Sequence, residues 1–169
     1  MNTMQWVLNL GILALMLSQL GTHVASARRL LVPLGVVGVV ALNLLPGTPT
    51  AGNDIAFEAI GVAAGALLGV AVAALMRVRT NAAGQVTVTS GLAYAVLWTA
   101  VIGSRLAFAL WATGPGARQV GTFSMANHIT GPAWTSFFVL MALTMVATRS
   151  IVVGTRVAAA RAQRVAQHA

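Results

Sequence analysis

Long apolar segments alternate with short polar segments along this chain. The apolar segments cover about residues 6–24, 30–45, 55–76, 88–112 and 133–154. Each is close to the ~20 residues that an α-helix needs to cross ~30 Å of hydrocarbon, and the second is the shortest. Residues that favour turns, mainly proline, glycine and asparagine, mark the breaks at 46–53, 81–84 and 113–116. The pattern predicts an all-α membrane protein, a bundle of five transmembrane helices.

Arginine is distributed unevenly over the segments that join these helices. Eight arginines fall on one predicted side of the membrane, and Arg118 alone falls on the other. Because cytoplasmic loops are enriched in arginine and lysine, this asymmetry predicts the N-terminus outside and the C-terminus in the cytoplasm. We expect residues 1–155 to form one transmembrane helical domain. Residues 156–169 would form a basic cytoplasmic tail that is attracted to anionic lipid.

The composition agrees with a protein whose solvent is lipid. Hydrophobic residues make up 58% and charged residues 7% of the chain, whereas soluble domains carry about 25% charged residues. The net charge of +8 comes from arginines that flank apolar segments without interleaved aromatics, so we do not expect nucleic-acid binding. The chain has no cysteine, which excludes disulfides and thiol chemistry. Its richness in Ala, Gly, Val and Arg suggests a GC-rich bacterial genome, and thus the bacterial cytoplasmic membrane.

The only two acidic residues, Asp54 and Glu58, open the third apolar segment. Their spacing of four places both carboxyl groups on one face of a helix. The same face continues through Gly61, Gly65 and Gly69. Small residues at this spacing let helix backbones approach closely in a membrane. We therefore predict a tightly packed glycine face, and we favour packing within the chain over homodimerisation.

Arg105 lies inside the fourth apolar segment, at a depth similar to that of Glu58 on an antiparallel helix. A charged side chain in hydrocarbon is costly, and a carboxylate partner offsets part of that cost. We expect an intramembrane pair of Glu58 and Arg105. The alternatives are that Arg105 extends outward to the headgroups, or that the two charges handle a substrate or a proton directly.

Tyr94 and Trp98 share the helical face of Arg105, at eleven and seven residues before it. Such a stripe, which Asp54 could extend, would line a polar cavity or a site for a quinone-like headgroup. The interpretation we favour is packed core, in which tyrosine and tryptophan donate to nearby backbone or polar groups.

The sequence shows no arrangement that is typical of catalysis. His23, His128 and His168 are far apart, and none has a histidine or carboxylate partner at i+3 or i+4. Nucleophile–base arrangements and phosphate-binding loops are also missing from the sequence. We expect no enzyme activity, no metal site and no cofactor.

The order of several features resembles the CcdC-like family of small bacterial integral-membrane proteins, especially its actinobacterial members. The resemblance lies in the Ala-Arg-Arg-Leu-Leu-Val-Pro-Leu segment at 27–34, the glycine-rich segment 61–69 with the arginines at 77 and 79, and the segments 97–105 and 143–153. It implies a multi-span protein whose biochemical role is not established and whose name comes from the neighbourhood of cytochrome c maturation genes. It brings no catalytic residues.

The functional expectation is a small polytopic membrane protein that acts by packing, as a structural or accessory component. The alternative is a small transporter or channel component that uses the Glu58 and Arg105 pair. A membrane enzyme is a third class, but it would need more converging polar residues than this chain supplies.

Overall fold

The computed structural model describes residues 21–24, 51–81 and 85–168, and helical positions at 32, 34–35 and 37–39. The continuous ranges are mostly helical and include a small antiparallel sheet. In chain order the elements are β1 (Gly21–Val24), α1 (Asp54–Leu75), β2 (Met76–Thr80), β3 (Val86–Ser90), α2 (Leu92–Ala112), α3 (Ala117–Ala126) and α4 (Gly131–His168). The predicted first segment before residue 21, and most of the second, lie outside the described residues.

Three of these helices are long and apolar enough to cross a membrane. They are α1, α2 and the part of α4 from Gly131 to Ala166. Their order in the chain matches the third, fourth and fifth predicted segments, so the expectation of a helical membrane protein is confirmed at this level.

The helix α1 packs along α4 over most of its length. A Cβ atom built on any glycine of the predicted face would collide with the α4 backbone: Gly61 with the oxygen of Phe137, Gly65 with that of Met141, and Gly69 with that of Met145. Because the residue numbers increase together along both helices, α1 and α4 run parallel. This direct backbone contact is what three glycines at intervals of four residues make possible.

The helix α2 runs antiparallel to α1 and α4. Near its end, Phe108 stacks on Trp134 in the first turn of α4, with ring centroids 5.2 Å apart. Near its beginning, the ring of Tyr94 lies 5.3 Å from the guanidinium carbon of Arg149, well inside α4. The three long helices therefore alternate in direction, as consecutive membrane crossings do.

A three-stranded sheet, with strand order β1-β3-β2, lies at the end of α1. This corrects the sequence prediction, which assigned residues 21–24, 76 and 88–90 to transmembrane helices. The alternation of valine with threonine or arginine at 76–80 and 86–90 has the period of two that is typical of strands. Asn81 closes the β2–β3 connection, because its Oδ1 accepts a 2.7 Å hydrogen bond from the backbone N–H of Gln85.

The second half of α4 continues beyond the apolar segment. The helix extends without a break from Gly131 to His168, across the boundary predicted at 155. Alanine-rich sequence after 157 favours helix and contains no breaker. The short helix α3 occupies the connection between α2 and α4, after the predicted break at 113–116.

Among the described residues, a cluster of buried apolar side chains lies where the end of α1, the sheet, the beginning of α2 and the middle of α4 meet. It consists of Val72, Ala73, Met76, Val86, Tyr94, Trp98, Met145, Val153 and Val157. The end of the helices near the sheet carries many arginines, and we call it the arginine-rich end. We call the opposite end, which holds Asp54, the acidic end.

Candidate functional site

Asp54 is fully buried and binds the segment that leads into α4. Its Oδ1 accepts a 2.8 Å hydrogen bond from the backbone N–H of Thr130, and its Oδ2 accepts a 2.7 Å bond from the Thr130 hydroxyl. Asp54 also begins α1, where the helix dipole stabilises a negative charge. Both carboxylate oxygens are used within the protein, so the geometry indicates a clasp between the beginnings of α1 and α4.

Neighbouring backbone contacts reinforce this clasp. The Asn53 backbone N–H donates to the carbonyl oxygen of His128 at 3.1 Å, and its side-chain amide donates to the oxygen of Asn127 at 3.0 Å. Gly52 has a φ of +55° and lies against the His128 backbone, so a side chain there would be strained and would collide. His128 thus has a role in the connection through its backbone.

Glu58 is buried one turn deeper than Asp54 and lacks a comparable partner. The side chain is 8% exposed, and its Oε1 is fully buried without a hydrogen-bond partner. It belongs to the buried stripe of α1 that also holds Gly61, while the adjacent Phe57 stacks on Phe137 of α4 with centroids 4.5 Å apart. A buried polar group without a hydrogen bond costs free energy, so Glu58 is the least satisfied group at the acidic end.

The structure does not bring Glu58 and Arg105 together. Arg105 is exposed on α2, and its guanidinium carbon lies 5.9 Å from the ring centroid of Phe138, in cation–π range. Glu58 belongs to the buried stripe of α1 that packs on α4, whereas Arg105 reaches the aromatic flank of α4 from α2. Matched depth does not specify which faces of the helices meet, so the pair of Glu58 and Arg105 stays a prediction.

Tyr94 and Trp98 are buried at the arginine-rich end, away from Arg105. They are 1% and 6% exposed, and their ring centroids are 6.4 Å apart. The Trp98 indole and the Arg149 guanidinium lie beside the Tyr94 hydroxyl, yet the hydroxyl and the indole N–H are both buried without a hydrogen bond of good geometry. Tyr94 and Trp98 are thus buried, whereas Arg105, predicted on the same helical face, is exposed, and Arg149 of α4 lies next to Tyr94.

Arg156 links the arginine-rich end of α1 to α4. Its Nη1 donates a 2.9 Å hydrogen bond to the carbonyl oxygen of Ala73, in the last turn of α1. A cation is favourable at the negative end of a helix dipole. Asp54 and Arg156 therefore fasten the two ends of α1 to the chain segment that contains α4.

Three residues that make these contacts between helices were not predicted from the sequence: Thr130, Arg149 and Arg156. Thr130 stands two residues before Pro132, a position that is typical of the residue preceding a helix, and this signal was available. The two arginines were assigned only to the charge asymmetry of the loops. The antiparallel arrangement of α2 and α4 is what places the beginning of α2 beside Arg149.

The described residues were predicted to hold no metal, and they also form an open groove. Among them, no group of three histidine, aspartate or glutamate side chains is placed to hold a metal ion. An open groove of about 540 Å³ follows the surface of α3, and its lining includes Arg118 and Phe123. No family model, curated protein or solved structure matches this chain.

Proposed function

We propose that this protein is a structural or accessory component of a membrane, and that it acts through its helix packing. The observation that carries the proposal is the α1–α4 contact, in which Gly61, Gly65 and Gly69 meet the backbone of α4 directly. Asp54 and Arg156 fasten the two ends of the same helix. Among the polar groups that the sequence singled out, Asp54 is thus used in holding helices together, and Arg156 adds a second such contact.

The proposal also covers the number of membrane crossings, their orientation and the identity of the membrane. We infer five membrane crossings, with the N-terminus outside and the arginine-rich end in the cytoplasm, as the arginine distribution favours. The membrane would be the bacterial cytoplasmic membrane, and the partners would be the bilayer and its anionic lipids, with no nucleic acid. Membership of the CcdC-like family, whose resemblance rests on Arg, Gly and Trp positions in apolar helices, is part of this proposal.

A second candidate function, a small transporter or channel component, is favoured by one observation. The Oε1 of Glu58 is buried without a partner, so packing does not account for this carboxyl group. Ionisable groups inside membranes often mark the path of a proton or an ion. In this alternative Glu58 acts without a direct contact to Arg105.

Reconstitution into sealed vesicles distinguishes the two candidates. Proton and cation fluxes would be measured for the full chain with an internal dye, under an imposed gradient, and compared with empty vesicles. The accessory role predicts no flux above the empty vesicles, for the native chain and for Glu58→Gln. A flux that the native chain supports and Glu58→Gln abolishes would contradict the accessory role and establish the transporter.

A further inference from the structure

We propose that Tyr94 and Trp98 form a binding site for a phosphate group at the arginine-rich end, with Arg149 covering it. This site would take a phosphate oxygen of an anionic lipid or of a soluble phosphate ester. It goes beyond the accessory role, because helix packing alone needs no such site.

The chemistry of Tyr94 and Trp98 defines what this place lacks. The indole N–H only donates hydrogen bonds, and the phenol hydroxyl can donate one as well as accept. Tyr94 and Trp98 are each more than nine-tenths buried, and neither polar atom has a hydrogen bond of good geometry. A buried donor without an acceptor is unfavourable, and an acceptor from outside the protein would remove that cost. A phosphate group offers several strong acceptor oxygens and a negative charge.

The beginning of α2 lies at the same place. Tyr94 is in its first turn, and the preceding Gly91 provides no side-chain cap. The first backbone N–H groups of a helix point outward, and together with the helix dipole they favour anions. The surface at this helix start is open, since Leu92 is 79% exposed and a Cβ atom on Gly91 would meet nothing within 4 Å.

Electrostatics at this end favour an anion over a neutral ligand. The arginines of β2 and of the second half of α4 lie here, including Arg77, Arg79 and Arg156. The two acidic residues are at the other end of α1, and the stretch from Glu58 to Leu75 corresponds to about 25 Å of helix. A quinone carbonyl could accept the same hydrogen bonds, but it would gain little from this positive field.

Access requires one movement, a change in the side-chain conformation of Arg149. The guanidinium of Arg149 lies over the Tyr94 ring, and this side chain is half-buried on a long flexible stem. Rotation of Arg149 toward solvent would uncover the hydroxyl. The same side chain would then contact the bound phosphate, which arginine binds well because of its planar set of donors.

Native mass spectrometry of the purified full chain tests this site. One sample carries phosphatidylglycerol and phosphatidylcholine, and a second, delipidated sample carries glycerol phosphate. We expect retention of one phosphatidylglycerol, or binding of one glycerol phosphate, in preference to phosphatidylcholine. Tyr94→Phe, which removes only a hydroxyl, should weaken that binding by about tenfold or more, since hydrogen bonds to charged groups are among the strong ones. The two samples distinguish a lipid from a soluble ester.

Matched variants separate the site from general effects. Trp98→Phe should weaken binding like Tyr94→Phe, whereas Trp111→Phe, at the acidic end of α2, should leave it unchanged. Arg149→Gln should weaken binding more than Arg105→Gln. The thermal stability of each variant would be measured as a control, to show whether its helices remain folded. Binding in neither sample, or equal binding by native chain and Tyr94→Phe, would overturn the proposal, as would equal retention of phosphatidylcholine.

Discussion

Replacing Gly65 with alanine is the sharpest test of the contact between α1 and α4. The added Cβ would lie 3.0 Å from both the carbonyl carbon and the Cα of Met141, and closer still to its oxygen. These are backbone atoms, so no side-chain rotation relieves the collision and the helices must separate. Overpacking of this kind costs ~1–3 kcal/mol in cores. The gain in helix propensity from glycine to alanine, ~1 kcal/mol, partly conceals that cost.

Gly103 supplies the matched control. It lies in α2, another apolar helix, and a Cβ there meets nothing within 4 Å. Gly103→Ala therefore gains the same helix propensity without the collision, and the difference in unfolding free energy between the two variants isolates the contact. We expect Gly65→Ala to be less stable than Gly103→Ala by ~1–3 kcal/mol, and Gly65→Leu to be less stable still.

The assay is reversible unfolding in mixed micelles, with denaturing detergent as the variable and helical circular dichroism as the signal. Both variants and the native chain would be measured at one protein concentration. Equal stability of Gly65→Ala and Gly103→Ala would show that the glycine face contacts lipid. The parallel packing of α1 on α4 would then be wrong.

Three further predictions concern the polar groups. Asp54→Ala leaves the backbone N–H and hydroxyl of Thr130 without their acceptor, so unfolding in the same assay should be easier by ~1–3 kcal/mol; Thr130→Val in the Asp54→Ala background should cost little more. Arg156→Gln should lower stability by ~0.5–1.5 kcal/mol, and an unchanged value would mean that its bond to α1 contributes nothing. Glu58→Gln and Arg105→Gln should have additive effects in a double-mutant cycle, whereas a coupling above ~0.5 kcal/mol would restore the charge pair.

The sequence predicted the elements whose pattern is long and regular. The apolar segment at 55–76 corresponds to α1, and the glycine spacing identified the face that lies on α4. A backbone contact requires that side chains be small, and glycine at every fourth position meets that requirement whatever the neighbour is. The identity of the neighbour, α4, could not be inferred from α1 alone.

The contacts between distant segments could not be predicted from the sequence. The apolar character of the valines concealed the β2–β3 pair, because valine is as apolar in a strand as in a membrane helix and only the period of two distinguishes them. Matched depth suggested the pair of Glu58 and Arg105, but nothing in the sequence indicated that Arg149 lies next to Tyr94 or Thr130 next to Asp54. Which faces meet depends on how α2 and α4 are rotated about their axes, and apolar residues on all sides of a helix leave that rotation unspecified.

The membrane arrangement of α2 is tested most directly with one pair of engineered cysteines in the full chain, which has none of its own. Thr80 is exposed in β2 at the arginine-rich end, and Thr113 is exposed just after the opposite end of α2. Each would be replaced by cysteine in a separate variant. Intact cells would be treated with a membrane-impermeant maleimide before and after permeabilisation. We predict labelling of Thr113→Cys in intact cells, and labelling of Thr80→Cys only after permeabilisation. The reverse pattern would contradict the orientation, and labelling of both positions in intact cells would show that α2 does not cross the membrane.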